Sequence, residues 1–148
     1  MDAPIKVLFV DDEPLILKSV ERLMRREPFQ VFFASGAAEA LELLVKEDID
    51  IVVSDYDMPA IDGLELFELL RKEKADIVRI MMTGRLAMSA WENGVDNGSV
   101  QRLIEKPWRA ESLKRVLAEA ADAVRTRRAR EEPDLHETRG FRRPLSTT

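Results

Sequence analysis

The chain of 148 residues contains no cysteine, which excludes a disulfide framework and any cysteine-ligated metal. No apolar run approaches the ~20 residues needed to cross a bilayer. Residues 1–4 lack the basic segment and long apolar stretch of a secretory signal, and the expected location is cytoplasmic. The only histidine is His136, in a polar C-terminal stretch, where an inert role is expected. No repeat longer than a strand–helix unit is present. The net charge of −5 conceals an asymmetry: residues 125–148 hold seven arginines against four acids, leaving −8 on residues 1–124. A body so acidic is a poor nucleic-acid surface and favours sites that attract cations.

What is present is an alternation. Short apolar runs of strand length occupy 5–10 (IKVLFV), 31–34, 49–53, 78–82 and 100–104. Between them lie helical patterns. Over 14–26, Leu15, Ile16, Val20, Leu23 and Met24 recur at three- and four-residue spacing after Pro14 in a first-turn position. Ser35 is placed to cap a helix through Leu41, Leu44 and Val45. Gly63 opens a third helix through Leu66, Phe67 and Leu70; a fourth spans about 85–93; the last starts near Arg109 and runs through Leu113, Leu117 and Val124. Met81 and Met82 are expected one on each sheet face. Five strand–helix units imply a doubly wound α/β domain over 1–124, with a parallel sheet of flavodoxin-like order 2-1-3-4-5. Residues 125–148 read as a helix extension followed by an Arg-rich tail. A solvated end, an interaction arm and a linker to an output domain are all compatible with the tail, although spaced arginines without interleaved aromatics offer no base reading.

Ligands of open α/β sheets bind outside the carboxyl ends of the strands. The residues following the strands here are Asp11, Asp12 and Glu13, then Asp55 with Asp57, then Thr83 and Gly84, then Lys106-Pro107. Carboxylates crowded at neighbouring strand ends repel unless a cation sits among them. Oxygen ligands of this kind suit Mg²⁺, which keeps several waters and takes one or two carboxylates plus a phosphate. Lys106 supplies a mobile positive charge and Thr83 a hydroxyl donor, and a carboxylate is a competent nucleophile toward phosphorus.

The strings VDDEP at 10–14, DYDMPAIDG at 55–63, MMTG at 81–84 and EKPW at 105–108 resemble the receiver domain of bacterial two-component response regulators over residues 5–124. The resemblance implies that Asp55 is the phosphoacceptor. Asp12 and Asp55 would bind Mg²⁺ directly with the backbone carbonyl of Asp57, and Asp11 would act through water. Thr83, Lys106 and the backbone N–H groups of Tyr56 and Gly84 would contact the phosphoryl oxygens, and a cis bond would precede Pro107. It also implies a sensor histidine kinase or phosphotransfer protein as donor and a downstream effector protein as target, while homodimerisation stays open. Such a domain catalyses its own phosphorylation and dephosphorylation without being a conventional turnover enzyme. One departure stands at the switch position, where Leu103 replaces the aromatic residue the family usually carries.

An alternative resemblance, to the metal-dependent phosphatases of the haloacid dehalogenase superfamily, rests on Asp55 and Asp57 as an Asp-x-Asp pair. Against it, Pro59 stands where Thr or Val is expected, and Asp11-Asp12 comes early rather than late. A flavodoxin-like cofactor binder would need a phosphate-cradling loop after the first strand, and those positions are acidic. Asp57 and Arg85 lie two residues beyond Asp55 and Thr83, positions that the receiver resemblance implies border the phosphoryl site and influence its hydrolysis, and an ion pair between them across the mouth is expected to restrict access. Such an exposed pair contributes only ~0–1 kcal/mol to stability, and its effect is on lifetime. Arg85→Ala is expected to hasten decay of the aspartyl phosphate; identical decay in parent and variant would remove the pair from the account.

Overall fold

The structure, a computed structural model, describes residues 3–84 and 98–139, with side chains of the last helix described to residue 131. The elements run β1 (Ile5–Val10), α1 (Pro14–Met24), β2 (Phe29–Ala34), α2 (Ala37–Lys46), β3 (Ile51–Asp55), α3 (Gly63–Glu73), β4 (Val78–Gly84), β5 (Arg102–Lys106) and α4 (Ala110–Arg139). The helix expected over 85–93 lies outside the described residues, as do Arg85 and the side chain of His136.

All neighbouring strands pair in parallel, in the order β2-β1-β3-β4-β5. The alternation of side chains along each strand divides the core in two. On one face Val7 and Phe9, Ile51 and Val53, Ile80 and Met82 pack against α1 and α4 through Val20, Met24, Leu113, Leu117 and Val124. On the other, Leu8, Val10, Val52 and Met81 pack against α2 and α3 through Ala40, Leu44, Leu66, Phe67 and Leu70. The two methionines thus fall on opposite faces. β1 and β3 are buried almost throughout, as strands covered on both sides must be.

Three local expectations are corrected. Leu15 and Val45, read as part of their helices' apolar stripes, are 77% and 83% exposed. The inward stripe of α1 is Ile16, Val20, Leu23 and Met24, and Leu15 is turned off it by the ~100° that separates successive helical residues. Ser35 does not cap α2, whose N-cap is Gly36. Instead its N–H and Oγ both donate to Glu39 Oε1, at 2.7 and 3.0 Å, so the glutamate reaches back to the turn.

Helix α3 begins under tighter control. Asp62 caps it and accepts from the Glu65 N–H, while the Glu65 side chain accepts from the Asp62 N–H, a reciprocal capping box. Gly63 then passes so close to the end of β3 that an added Cβ would lie 2.5 Å from the Asp55 carbonyl oxygen and 2.9 Å from Met81 Sδ. The carbonyl belongs to the sheet and cannot retreat. Gly63→Ala is therefore expected to destabilise by ~1–3 kcal/mol, although alanine is the better helix former. A urea titration tests this: a lower midpoint at unchanged slope is expected, and a parental midpoint would show that the loop gives way.

Candidate functional site

The parallel arrangement sends the carboxyl ends of all five strands to one edge, and register decides which side chains meet there. Asp55 pairs with Met82, Thr83 with Glu105, and Gly84 with Lys106. On the other flank Val10 pairs with Ser54, so Asp11 leaves β1 beside Asp55. Lys106 Nζ lies 3.1 Å from Asp11 Oδ2, 3.4 Å from Asp55 Oδ2 and 3.5 Å from Glu13 Oε1. The Asp11 carboxylate is fully buried, and its Oδ1 accepts the Glu13 N–H at 2.9 Å. Asp12, one residue on, is exposed. Thr83 is only 2% exposed, and no hydrogen bond of its hydroxyl is found among the described residues. The peptide bond between Lys106 and Pro107 is cis.

Carboxylate oxygens of Asp11, Asp12 and Asp55 all lie within 4.8 Å of one another. Three negative groups at this spacing, two of them buried, make an environment that favours a hard cation with oxygen ligands. The electrostatics agree. Burial pushes the Asp55 carboxyl up to about 6, assisted by the charge of Asp11 and opposed by Lys106 and by the Asp57 N–H that donates to it. For Lys106, burial acts to lower the pKa, but Asp11 and Asp55 together outweigh it and the net shift is upward. One ammonium thus stays charged among acids it does not fully neutralise, and the donor set fits Mg²⁺.

Residues 7–118 match the family model of the response regulator receiver domain. The chain belongs to the response-regulator receiver family. Among relatives, it is 39% identical over 114 residues to the two-component response regulator ARR12 of Arabidopsis thaliana, covering 76% of this chain and 19% of that protein. It is 34% identical over 110 residues to the response regulator MprA of Mycolicibacterium vanbaalenii, covering 74% of this chain and 47% of that protein. It therefore spans less than half the length of these relatives. Among solved structures, the signal receiver domain of an HD domain-containing protein from Pseudomonas fluorescens superposes with a TM-score of 0.76 at 28% identity, over 81% of this chain and 96% of that one. The chemotaxis protein CheY4 of Vibrio cholerae gives 0.73 at 25% identity, over 80% and 99%. Receivers are signalling modules of two-component systems rather than conventional enzymes, and this match leaves the phosphatase alternative without support. Among the described residues no helix is long and apolar enough to cross a membrane.

Within this receiver one expectation changes. The Tyr56 N–H is not free to face a phosphoryl group, because it donates to the Met82 carbonyl at 3.0 Å. Pairing of β3 with β4 continues one residue past Asp55, and a backbone N–H that closes a ladder has no second proton to give. The N–H that reaches the Asp55 carboxylate belongs to Asp57, whose own side chain is exposed. Gly84, at the end of β4, is exposed, whereas Leu103 on β5 is partly buried and packs on the α2–α3 face. The loop after Asp57 is tightly wound: the Ile61 N–H donates to the Pro59 carbonyl at 2.9 Å across Ala60, whose φ is 69°. That is a three-residue turn of the strained kind.

The raised Asp55 pKa has a consequence for stability. Its folded value of about 6 stands above the ordinary carboxylate value of 3.8, so the fold prefers the protonated acid. The stabilisation is complete below the unfolded value and is lost as pH rises through the folded one. Without metal, Asp55→Asn is thus expected to be more stable than the parent near neutral pH, by on the order of 2–3 kcal/mol. The advantage should shrink toward about pH 4. Thermal unfolding in chelator across this range is the measurement, and a pH-independent difference would contradict the assignment.

Proposed function

We propose that this receiver is a phosphorylation switch in which Asp55 takes a phosphoryl group from a sensor histidine kinase or phosphotransfer protein. In the transfer a carboxylate oxygen of Asp55 bonds to phosphorus, the bond from phosphorus to the donor's imidazole nitrogen breaks, and that nitrogen keeps the electron pair. Later attack of water on phosphorus returns the carboxylate and releases inorganic phosphate. The observation that carries the reading is Lys106 Nζ at 3.4 Å from Asp55 Oδ2 and 3.1 Å from Asp11 Oδ2, which brings together residues from three strand ends.

Asp12 and Asp55, with the Asp57 carbonyl, would hold Mg²⁺, and Asp11 would orient its waters; the ion would offset the charge that gathers on the phosphoryl oxygens. Lys106 then exchanges a carboxylate partner for a phosphoryl oxygen, a trade between two anions that a flexible ammonium makes easily. The Thr83 hydroxyl, buried without a partner among the described residues, gains an acceptor in the phosphorylated state, and leaving it unpaired is unfavourable otherwise. The Asp57 and Gly84 N–H groups complete the donors. Movement of Thr83 is the means by which phosphorylation would favour a second arrangement of the β4–β5 end of the sheet. At the switch position Leu103 must repack without the hydroxyl an aromatic tyrosine would bring, so its range of positions is set by volume alone. An effector protein that recognises the altered surface is the output.

Incubation with acetyl phosphate and Mg²⁺ tests the assignment. Stoichiometric labelling is expected, visible as a mass increase of one phosphoryl group per chain. It should vanish in Asp55→Asn and fall by at least about tenfold in Lys106→Ala, since a buried charged donor to a transferring group contributes on the order of 10²-fold or more. Labelling that persists in Asp55→Asn would overturn the proposal.

A further inference from the structure

The arginine-rich stretch after residue 124 takes no part in the chemistry above, yet two of its side chains are among the most committed in the molecule. Arg127 Nη2 lies 3.5 Å from Asp50 Oδ1 and its Nη1 donates to the Asp76 carbonyl at 2.6 Å. Arg128 Nη2 donates to Asp50 Oδ2 at 3.1 Å and its Nη1 to the Ala3 carbonyl at 2.8 Å. The two guanidinium groups therefore approach a single carboxylate from either side, one oxygen each. In doing so they tie the segments before β1, β3 and β4 to the last helix.

Asp50 is built for this. It precedes β3 and is only 7% exposed. Its Oδ2 also accepts the Lys6 N–H at 2.9 Å, and its backbone is fixed in the sheet edge by bonds to the Lys6 carbonyl and from the Val78 N–H. A buried carboxylate demands compensation, and one N–H does not supply a countercharge. The nearest cations are those of α4, which has run antiparallel to the strands and reached their N-terminal edge. Val124 is the last buried apolar residue of that helix among those described. Arg127 and Arg128 stand three and four residues beyond it, on the face that the apolar stripe has occupied. Arginine continues that face where valine ends it.

We propose that Asp50 is a docking site for Arg127 and Arg128, making residues 125–131 a latched strut that leaves the domain in a fixed direction at the edge opposite Asp55. From Val124 to Arg139 the helix travels about 22 Å at 1.5 Å per residue. A helix of that length is marginal on its own in water, and the two arginines anchor its first turns. Their lengths and charges are matched to a carboxylate that sits about 16 Å along β3 from the phosphoacceptor, five residues at ~3.3 Å each. The strut fixes where a segment following the helix would stand relative to the sheet, independently of the phosphorylation state of Asp55.

Hydrogen exchange on the full chain tests the latch, comparing the parent with Arg127→Ala/Arg128→Ala and separately with Asp50→Asn, which keeps an acceptor for Lys6 and removes the charge. Amides of residues 125–131 are expected to exchange on the order of tenfold faster in both variants while those of β1 and β3 keep their protection. Equal protection of 125–131 in parent and variants overturns the latch. So does a uniform acceleration in which β1 and β3 lose as much as the helix, because the arginines would then hold the domain together rather than the helix in place.

Discussion

Lys106 is the countercharge around which the strand-end edge is organised. Four acidic side chains, from Asp11, Asp12, Glu13 and Asp55, gather at the ends of two neighbouring strands, and one ammonium reaches three of them within 3.5 Å. Without it, the fully buried Asp11 would lack a positive partner among the described residues, a situation that is strongly destabilising. With it, the charge is still incompletely balanced, and burial, with the Asp11 charge adding to it against Lys106, raises the Asp55 carboxyl to about 6. A site in this condition has affinity for a divalent cation and, once the cation is present, for an anion. Receiver chemistry follows from that imbalance more than from any single residue.

Nothing in the loops alone could bring these groups together. The parallel sheet does so, because it sends every strand's carboxyl end to the same edge, and register does the rest. A one-residue slip of β5 against β4 would turn Lys106 to the opposite face and exchange it for Glu105. The apolar interior resists such a slip: Ile104 packs on the α1–α4 face and Leu103 on the other. Chemistry at the edge is thus held in place by hydrophobic burial several residues away. Gly63 belongs to the same logic, since its missing side chain lets α3 start against the Asp55 carbonyl and so closes the loop over the site.

Much of this was legible in the primary structure because the signals are local. A strand buried on both faces must be largely apolar, and IKVLFV, apart from Lys6, and IVV are so; Asp11 follows the first run directly and Asp55 follows the second after Ser54. What escaped depends on where hydrogen bonds end. Whether the Tyr56 or the Asp57 N–H faces the carboxylate turns on β3 pairing with β4 one residue further, which side-chain patterns do not record. Ser35 was a reasonable cap by type, but Glu39 bonds its N–H and hydroxyl and leaves the capping position to Gly36. Leu15 and Val45 sit beside their stripes rather than in them, a difference of one helical step. The Asp50 latch joins residues 77 and 78 positions apart, a separation at which no periodicity carries information, although a lone acid opening an apolar strand and two arginines in phase with Val124 were its visible traces.

The two ends of β3 illustrate two uses of a buried aspartate. At Asp50 the carboxylate is met by two guanidinium groups and a backbone N–H, each held by further bonds to carbonyls, so its environment is complete and serves position. At Asp55 the compensation is left short, with one shared ammonium and one N–H, so its environment is incomplete and serves reaction. Asp50 immediately precedes, and Asp55 ends, a strand only five residues long. The same residue type, covered by the same hydrophobic layers, becomes structural or reactive according to whether its neighbours finish the neutralisation or leave part of it to a cation and a phosphoryl group.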